Sequence, residues 1–238
     1  MTFSIAARCA RTGMLGVAIS SSSPAVAARC AHVQAGVGAV CTQSSTDPRL
    51  GPRLLDLLAE GLGPEQALPL VESEEPRIAY RQLTVVDAAG QMGSYSGPNT
   101  LGVYAAHEAT DAVAAGNLLA SREVPRAMVA AFGHSPGDHL GDRLMAALAA
   151  GLAAGGEAGP VHSAGLVIAD EVPWPVVDLR VDWTDDPIGD LARLWRLWRP
   201  QIDAYVTRAL NPEAAPGFGV PGSDPAPPPL DVNGTSVR

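Results

Sequence analysis

The chain opens on a hairpin. Residues 2–8 (TFSIAAR) and 14–20 (MLGVAIS) are two apolar, strand-forming runs, and Arg11-Thr12-Gly13 between them makes a turn. A hairpin that begins at residue 2 fixes the start of the polypeptide in a sheet, where chain termini ordinarily fray. Whatever the fold, it is built around a rigid amino-terminal strand. The interior around it must be made of small side chains. Apolar residues are 47% of the chain but Phe, Trp and Tyr only 5%, which leaves Ala, Val, Leu and Gly to fill the core. Close backbone approach of that kind suits stacked layers of sheet and helix. The 238 residues suffice for one substantial core.

Further along, residues 36–43 (GVGAVCTQ) read as a third strand, apolar enough to be buried on both faces. Asp47-Pro48 is a helix-start signal, Asp as N-cap and Pro at the first helical position. That helix runs to about Glu60, with Leu54, Leu55, Leu58 and Leu62 on one face and Gly61 near its end. Gly63-Pro64-Glu65 opens another helix through about Val71. Residues 78–87 and 91–97 read as paired strands across Ala88-Ala89-Gly90. Helices near 122–132 and 138–154 flank His134-Ser135-Pro136-Gly137. Strands at 162–169 and 176–182 follow, then a last helix from Asp185-Asp186-Pro187 that must break at Pro200. Grouped strands and grouped helices predict an α+β layered domain over residues 1–211. The Pro- and Gly-rich residues 212–238 read as a disordered tail.

Charge and cysteine usage narrow the function. The net charge is -9, without any basic stripe, which argues against nucleic acid and against an anionic membrane as partner. The apolar stretch LMAALAAGLAAGG is too short for a bilayer, which needs about 20 residues. Arg8 and Arg11 interrupt the segment where a signal peptide needs its apolar region. Cys9, Cys30 and Cys41 are odd in number and lack metal-ligand spacing, as suits a reducing cytoplasm. His134-x4-His139 with Asp138 and Asp142 falls in a polar interhelical loop with capping chemistry, not at a metal site. Gly36-x-Gly38 lacks the third glycine of a dinucleotide fingerprint. No metal or cofactor is expected. In LARLWRLWRP, Leu191, Leu194, Trp195 and Trp198 share one side, for core packing or for the subunit interface of an expected homodimer. All sixteen basic residues are Arg, so no lysine is available as Schiff-base former or general base.

Met1-Thr2 offers a chemistry that needs no lysine. Methionine aminopeptidase removes an initiator Met that precedes a small residue such as Thr. The new terminal residue then carries a hydroxyl and an α-amine together. With a pKa of about 7.7–8.0, that amine can accept the hydroxyl proton near neutral pH. This is the N-terminal-threonine form of nucleophilic catalysis. Many ordinary chains also start Met-Thr, so the dipeptide alone does not decide the matter.

The surrounding sequence resembles the DUF1028 family of Ntn-hydrolase-like bacterial and archaeal proteins over roughly residues 1–210. The resemblance is carried, in one order, by TFSIAAR (2–8), LGVAIS (15–20), AGVGAVCTQ (35–43), DPRLGPRLLDLLAEG (47–61), YRQLTVVD (80–87), AGNLLAS (115–121) and VVDLRVD (176–182). It implies a four-layer αββα sandwich of Ntn-hydrolase type, in which Thr2 resembles the nucleophile of amidohydrolases. Many family members carry Lys shortly after the second strand, where this chain has Ser22; a cation there would depress the pKa of the terminal amine.

Arg81 is the candidate substitute for that lysine, or else the partner of a carboxylate such as Asp87. Thr42 and Gln43, at a strand end, are candidate oxyanion donors, or simply bond the loop backbone. Asn117, in a Gly-Asn loop, has the same two readings. Ser22, Asp47, Gln82 and His162 are the candidate substrate contacts, although His162 reads more simply as a satisfied surface residue. Two functions follow: an amidohydrolase acting on a small amide substrate through Thr2, or a binding module that keeps the fold without the chemistry.

Overall fold

A computed structural model describes residues 2–217, in two compact units divided between residues 197 and 198. Met1 and residues 218–238, and with them most of the expected tail, lie outside the described residues. The first unit begins with the expected hairpin. Strands β1 (Thr2–Arg8) and β2 (Leu15–Ser21) pair antiparallel from Phe3 with Ser20 to Arg8 with Leu15. Gly13 closes the turn at φ 79°, a left-handed conformation that costs glycine little.

The chain continues through α1 (Ala27–Cys30), β3 (Ala31–Gln34), β4 (Gly38–Ser44), α2 (Leu50–Ala59) and α3 (Pro64–Glu74). Next come β5 (Arg81–Asp87), β6 (Met92–Ser96), β7 (Ala105–Ala109), β8 (Ala112–Asn117), α4 (Val124–Gly133) and α5 (Leu140–Ala153). Finally come β9 (Ser163–Ala169), β10 (Pro175–Val181) and α6 (Pro187–Trp198). Helix α2 starts two residues later than Asp47-Pro48 suggests, because the Asp47 carboxylate accepts the Arg49 N–H in a local turn. Asn117 is not in a loop: it is the last residue of β8 and fully buried.

Two antiparallel sheets result, ordered β10-β9-β2-β1-β8-β7 and β3-β4-β5-β6. Strand alternation assigns their faces. Ala6, Leu15, Val17, Ile19 and Val113 of the larger sheet pack on Ala39, Cys41 and Val86 of the smaller one. The intervening residues Val40, Leu83 and Val85 pack instead on Leu50, Leu54, Leu57, Leu68 and Val71 of α2 and α3. Helices α4 and α5 cover the larger sheet, where Phe3 reaches Gly151 and Leu144 reaches Gly16.

The scarcity of aromatics is therefore structural. A Cβ on Gly16 would come within 2.8 Å of Leu144, and one on Gly38 within 2.6 Å of Leu58 and 2.9 Å of the Val86 carbonyl. In α6, Leu191 and Trp195 are buried as expected, and the Trp195 indole donates to Asp142 at 2.8 Å. Leu194, expected on the same face, is exposed.

In the second unit, a 3-10 turn at Arg199–Gln201 precedes α7 (Ile202–Leu210), so Pro200 interrupts the helix as its fixed φ and missing N–H require. The Trp198 and Tyr205 rings pack at a tilt of 36° with centroids 4.7 Å apart, and Arg208 covers the Tyr205 ring. Pro212–Ala214, placed in the tail on composition, form a further 3-10 turn.

Gly38→Ala is expected to cost about 1–3 kcal/mol, since a backbone carbonyl cannot yield to the added methyl. Gly133→Ala, with open space around its Cβ position, should be neutral or mildly stabilising. Paired denaturant titrations check the contrast.

Candidate functional site

Four neighbouring strands of the larger sheet meet at one end. There β1 begins with Thr2, β2 ends with Ser21, β8 ends with Asn117 and β9 begins with Ser163; Thr2 lies opposite Asn117, and Ser21 opposite Ser163. Thr2 is only 5% exposed. Its hydroxyl donates to Ser21 Oγ at 3.4 Å, and the Ser23 N–H donates to the same oxygen at 3.0 Å. Ser163 Oγ donates to the Ser23 carbonyl at 2.6 Å and accepts from the Val26 N–H at 3.2 Å. The Ser20–Ser23 run is thus hydrogen-bonded into the site and is not a loose linker.

Glu157, which sequence reasoning missed, completes this cluster. It follows α5 and bridges to Leu119, which carries its carboxyl back to the strand ends. The residue is 4% exposed. Oε1 accepts the Ser22 N–H at 3.0 Å, and Oε2 is buried without a hydrogen-bond partner. Burial raises its pKa, while hydrogen bonding from Ser22 and Ser21 pulls the other way. The signal in sequence was faint: a single acidic residue in the Gly-rich AGGEAG, a segment otherwise suited only to a turn.

A buried amide network lies between the sheets beside Thr2. Gln82 Oε1 accepts from Gln43 Nε2 at 2.9 Å and from Asn117 Nδ2 at 3.1 Å. Ser4 Oγ donates to Gln43 Oε1 at 2.7 Å, and Gln82 Nε2 donates to Ser96 Oγ at 3.0 Å and to the Gly116 carbonyl at 3.1 Å. Gln43, Gln82 and Asn117 therefore come together. They tie the smaller sheet to the strand that pairs with Thr2.

Thr42 and Arg81 are placed elsewhere, because each sits one residue out of phase with its glutamine neighbour. Thr42 Oγ donates to the Asp47 carbonyl at 3.2 Å. The Arg81 guanidinium donates to the Ser45 carbonyl and lies 3.8 Å from Asp47 and 3.7 Å from Glu75. It is an ion-paired clamp on the 44–49 loop, not a cation at Thr2. Asp87, its expected rival partner, instead accepts the Ala89 and Gln91 N–H groups of a turn. Asp47 is held by Arg49 as well, so its carboxylate is engaged within the loop.

His162 borders the cluster. Its backbone N–H donates to the Ser21 carbonyl at 2.8 Å, and its ring stacks on Trp183 at 4.3 Å. His139 caps α5 through the Gly141 N–H. The thiol of Cys41 lies buried between the sheets, and burial pushes its pKa up to about 12, so it is a poor nucleophile. Clefts of about 400 Å³ beside His32 and about 410 Å³ beside Leu58 lie away from Thr2.

Comparison with known proteins places this geometry. The model of a family of unknown function, DUF1028, matches residues 2–191. The crystal structure of protein SPO2555 from Silicibacter pomeroyi, matched by the same family model, is 30% identical with a TM-score of 0.77, covering 82% of this chain and 88% of that one. Anbu of Hyphomicrobium sp. strain MC1, as a Gly-1 mutant, is 13% identical with a TM-score of 0.45, covering 92% of this chain and all of that one. Anbu of Yersinia bercovieri is 13% identical with a TM-score of 0.39 over the same shares. No curated protein matches the chain.

The loop clamp carries a pH signature. Hydrogen bonding from Arg49, aided by the charge of Arg81, lowers the Asp47 pKa to about 2, against about 3.9 for an unperturbed Asp. The stability it contributes is complete above the unfolded value and disappears as pH falls through the native one. The stability difference between wild type and Asp47→Asn should be constant above about pH 5 and shrink between about pH 4 and 2, as denaturant midpoints across that range will show.

Proposed function

The chain belongs to the DUF1028 family, and we propose that it is an Ntn-type amidohydrolase cleaving the C–N amide bond of a small substrate with Thr2 as nucleophile. The layered order of α4 and α5, larger sheet, smaller sheet, then α2 and α3 is the arrangement this reading takes as a four-layer αββα sandwich. The single observation that carries it is the placement of Thr2. It is the first residue of an interior strand, flanked by β2 and β8, with its hydroxyl directed into a buried polar cluster.

Excision of Met1 puts the α-amine on that same residue, where it can receive the hydroxyl proton. Thr2 Oγ adds to the carbonyl carbon, and the negative charge on the tetrahedral oxygen needs donors fixed in advance. Asn117, directly across the ladder and anchored by Gln82, is the side-chain candidate. Collapse expels the amine, and water then releases the acyl group from Thr2. Gln43 and Gln82 act as the foundation of the site; Thr42, Asp47 and Arg81 shape the adjoining loop.

The second reading is a binding module that retains the fold. Serine at position 22, in place of the cation common in the family, favours it. Intact-mass measurement combined with a β-lactone probe separates the two. The catalytic reading expects loss of Met1 and one acyl adduct, mapped to Thr2 and abolished in Thr2→Ala. It also expects acylation slowed by about 10²-fold in Asn117→Ala. Retained Met1 or an unlabelled Thr2 supports the binding module instead.

A further inference from the structure

With no lysine in the chain and Arg81 committed to the 44–49 loop, the groups that do surround the Thr2 hydroxyl decide where its proton goes. That hydroxyl donates to Ser21 Oγ. Because Ser21 Oγ also receives the Ser23 N–H, its own proton must be directed to a further acceptor. The Glu157 carboxyl, which receives the N–H of the adjoining Ser22 at 3.0 Å and lies close enough for the Ser21 hydroxyl to favour its ionised form, is such an acceptor. It is fixed in place through Oε1 and carries a second oxygen, buried and unpartnered. Leaving a carboxylate oxygen in that state is costly, and a side chain held so is an anomaly that calls for a purpose.

We propose that Glu157 is the terminal proton acceptor for Thr2, reached through the Ser21 hydroxyl. The assignment rests on Thr2 being the nucleophile, and it gives the proton a destination besides the α-amine. As Thr2 Oγ forms its bond to the substrate carbonyl carbon, its proton passes to Ser21 Oγ and the Ser21 proton passes to the Glu157 carboxylate. When the C–N bond breaks, Glu157 returns the proton to Ser21 Oγ as Ser21 gives its own to the departing nitrogen, leaving an ester on Thr2 and an ionised Glu157. Glu157 touches neither substrate nor reacting atom and is a positioning residue in this scheme; Ser21 touches the nucleophile.

Burial moves Glu157 toward the neutral range in which a base works best. The groups acting on its ionisation are the Ser21 and Ser22 hydroxyls, the Ser22 backbone and the charge of the chain's amino terminus.

The test is the pH dependence of acylation by a β-lactone, read by intact mass and peptide mapping on full-length protein lacking Met1. Wild type should label at Thr2 at a rate that rises through an ionisation above the usual carboxylate range. Glu157→Gln, which keeps the shape, and Ser21→Ala should each slow acylation by about 10²-fold and lose that ionisation, with folding checked by circular dichroism. Glu157→Asp should restore part of both. If both variants label Thr2 at the wild-type rate with the wild-type pH profile, the Glu157 assignment is overturned while Thr2 stands. If wild type is not labelled at Thr2, the nucleophile reading falls and this one with it. Should Glu157→Gln fail to fold, Ser21→Ala, which loses only a hydroxyl, decides alone.

Discussion

The site depends on one constraint: β1 is paired along both edges, from Thr2 on the β8 side and from Phe3 on the β2 side. A strand with a neighbour on each side leaves its backbone no freedom to fray, so Thr2 is held as firmly as a residue in mid-sheet. The same ladder lines up Ser21, Asn117 and Ser163, since each strand end is fixed by its register with the next. Position at this site is a property of the sheet and not of flexible loops.

The second requirement is that the sheets lie close enough for Ser4, Gln43, Gln82 and Asn117 to bond across the gap. Small residues provide that proximity, and the amides define it. A buried amide chain tolerates little displacement, because each lost hydrogen bond strands a polar group away from water. Apolar residues would hold the sheets together as well, but at less defined separation and register. Polar residues in this interior therefore specify geometry more than they add stability.

Much of this was legible in the sequence. The opening hairpin, the α2–α3 pair, the α4–α5 pair and the break at Pro200 all follow from periodicity and from Gly and Pro punctuation. Strands β7 and β8 did not, because AAHEA and AVAAGN are alanine-rich and carry little strand propensity. Asn117 was consequently assigned to a loop, although its neighbourhood to Thr2 is set by β8. Arg81 and Thr42 were misplaced for a different reason. Sequence marks a strand but not its phase, and a shift of one residue exchanges the two faces. Gln82 and Gln43, one position away, are the residues that face the site. Glu157 was invisible because burial of a lone acid in a glycine-rich turn is decided by the rest of the fold.

Cys41 has a use that follows from its position. Its thiol lies at the centre of the sheet–sheet interface, fully buried, on the face that meets Ala6 and Val17. An alkylating reagent can reach it only when the two sheets separate. Its modification is therefore a clock for sub-global opening of the sandwich, which amide exchange at the frayed edges does not report. Such a clock would run independently of any substrate, and would measure how rigidly the sandwich holds Thr2.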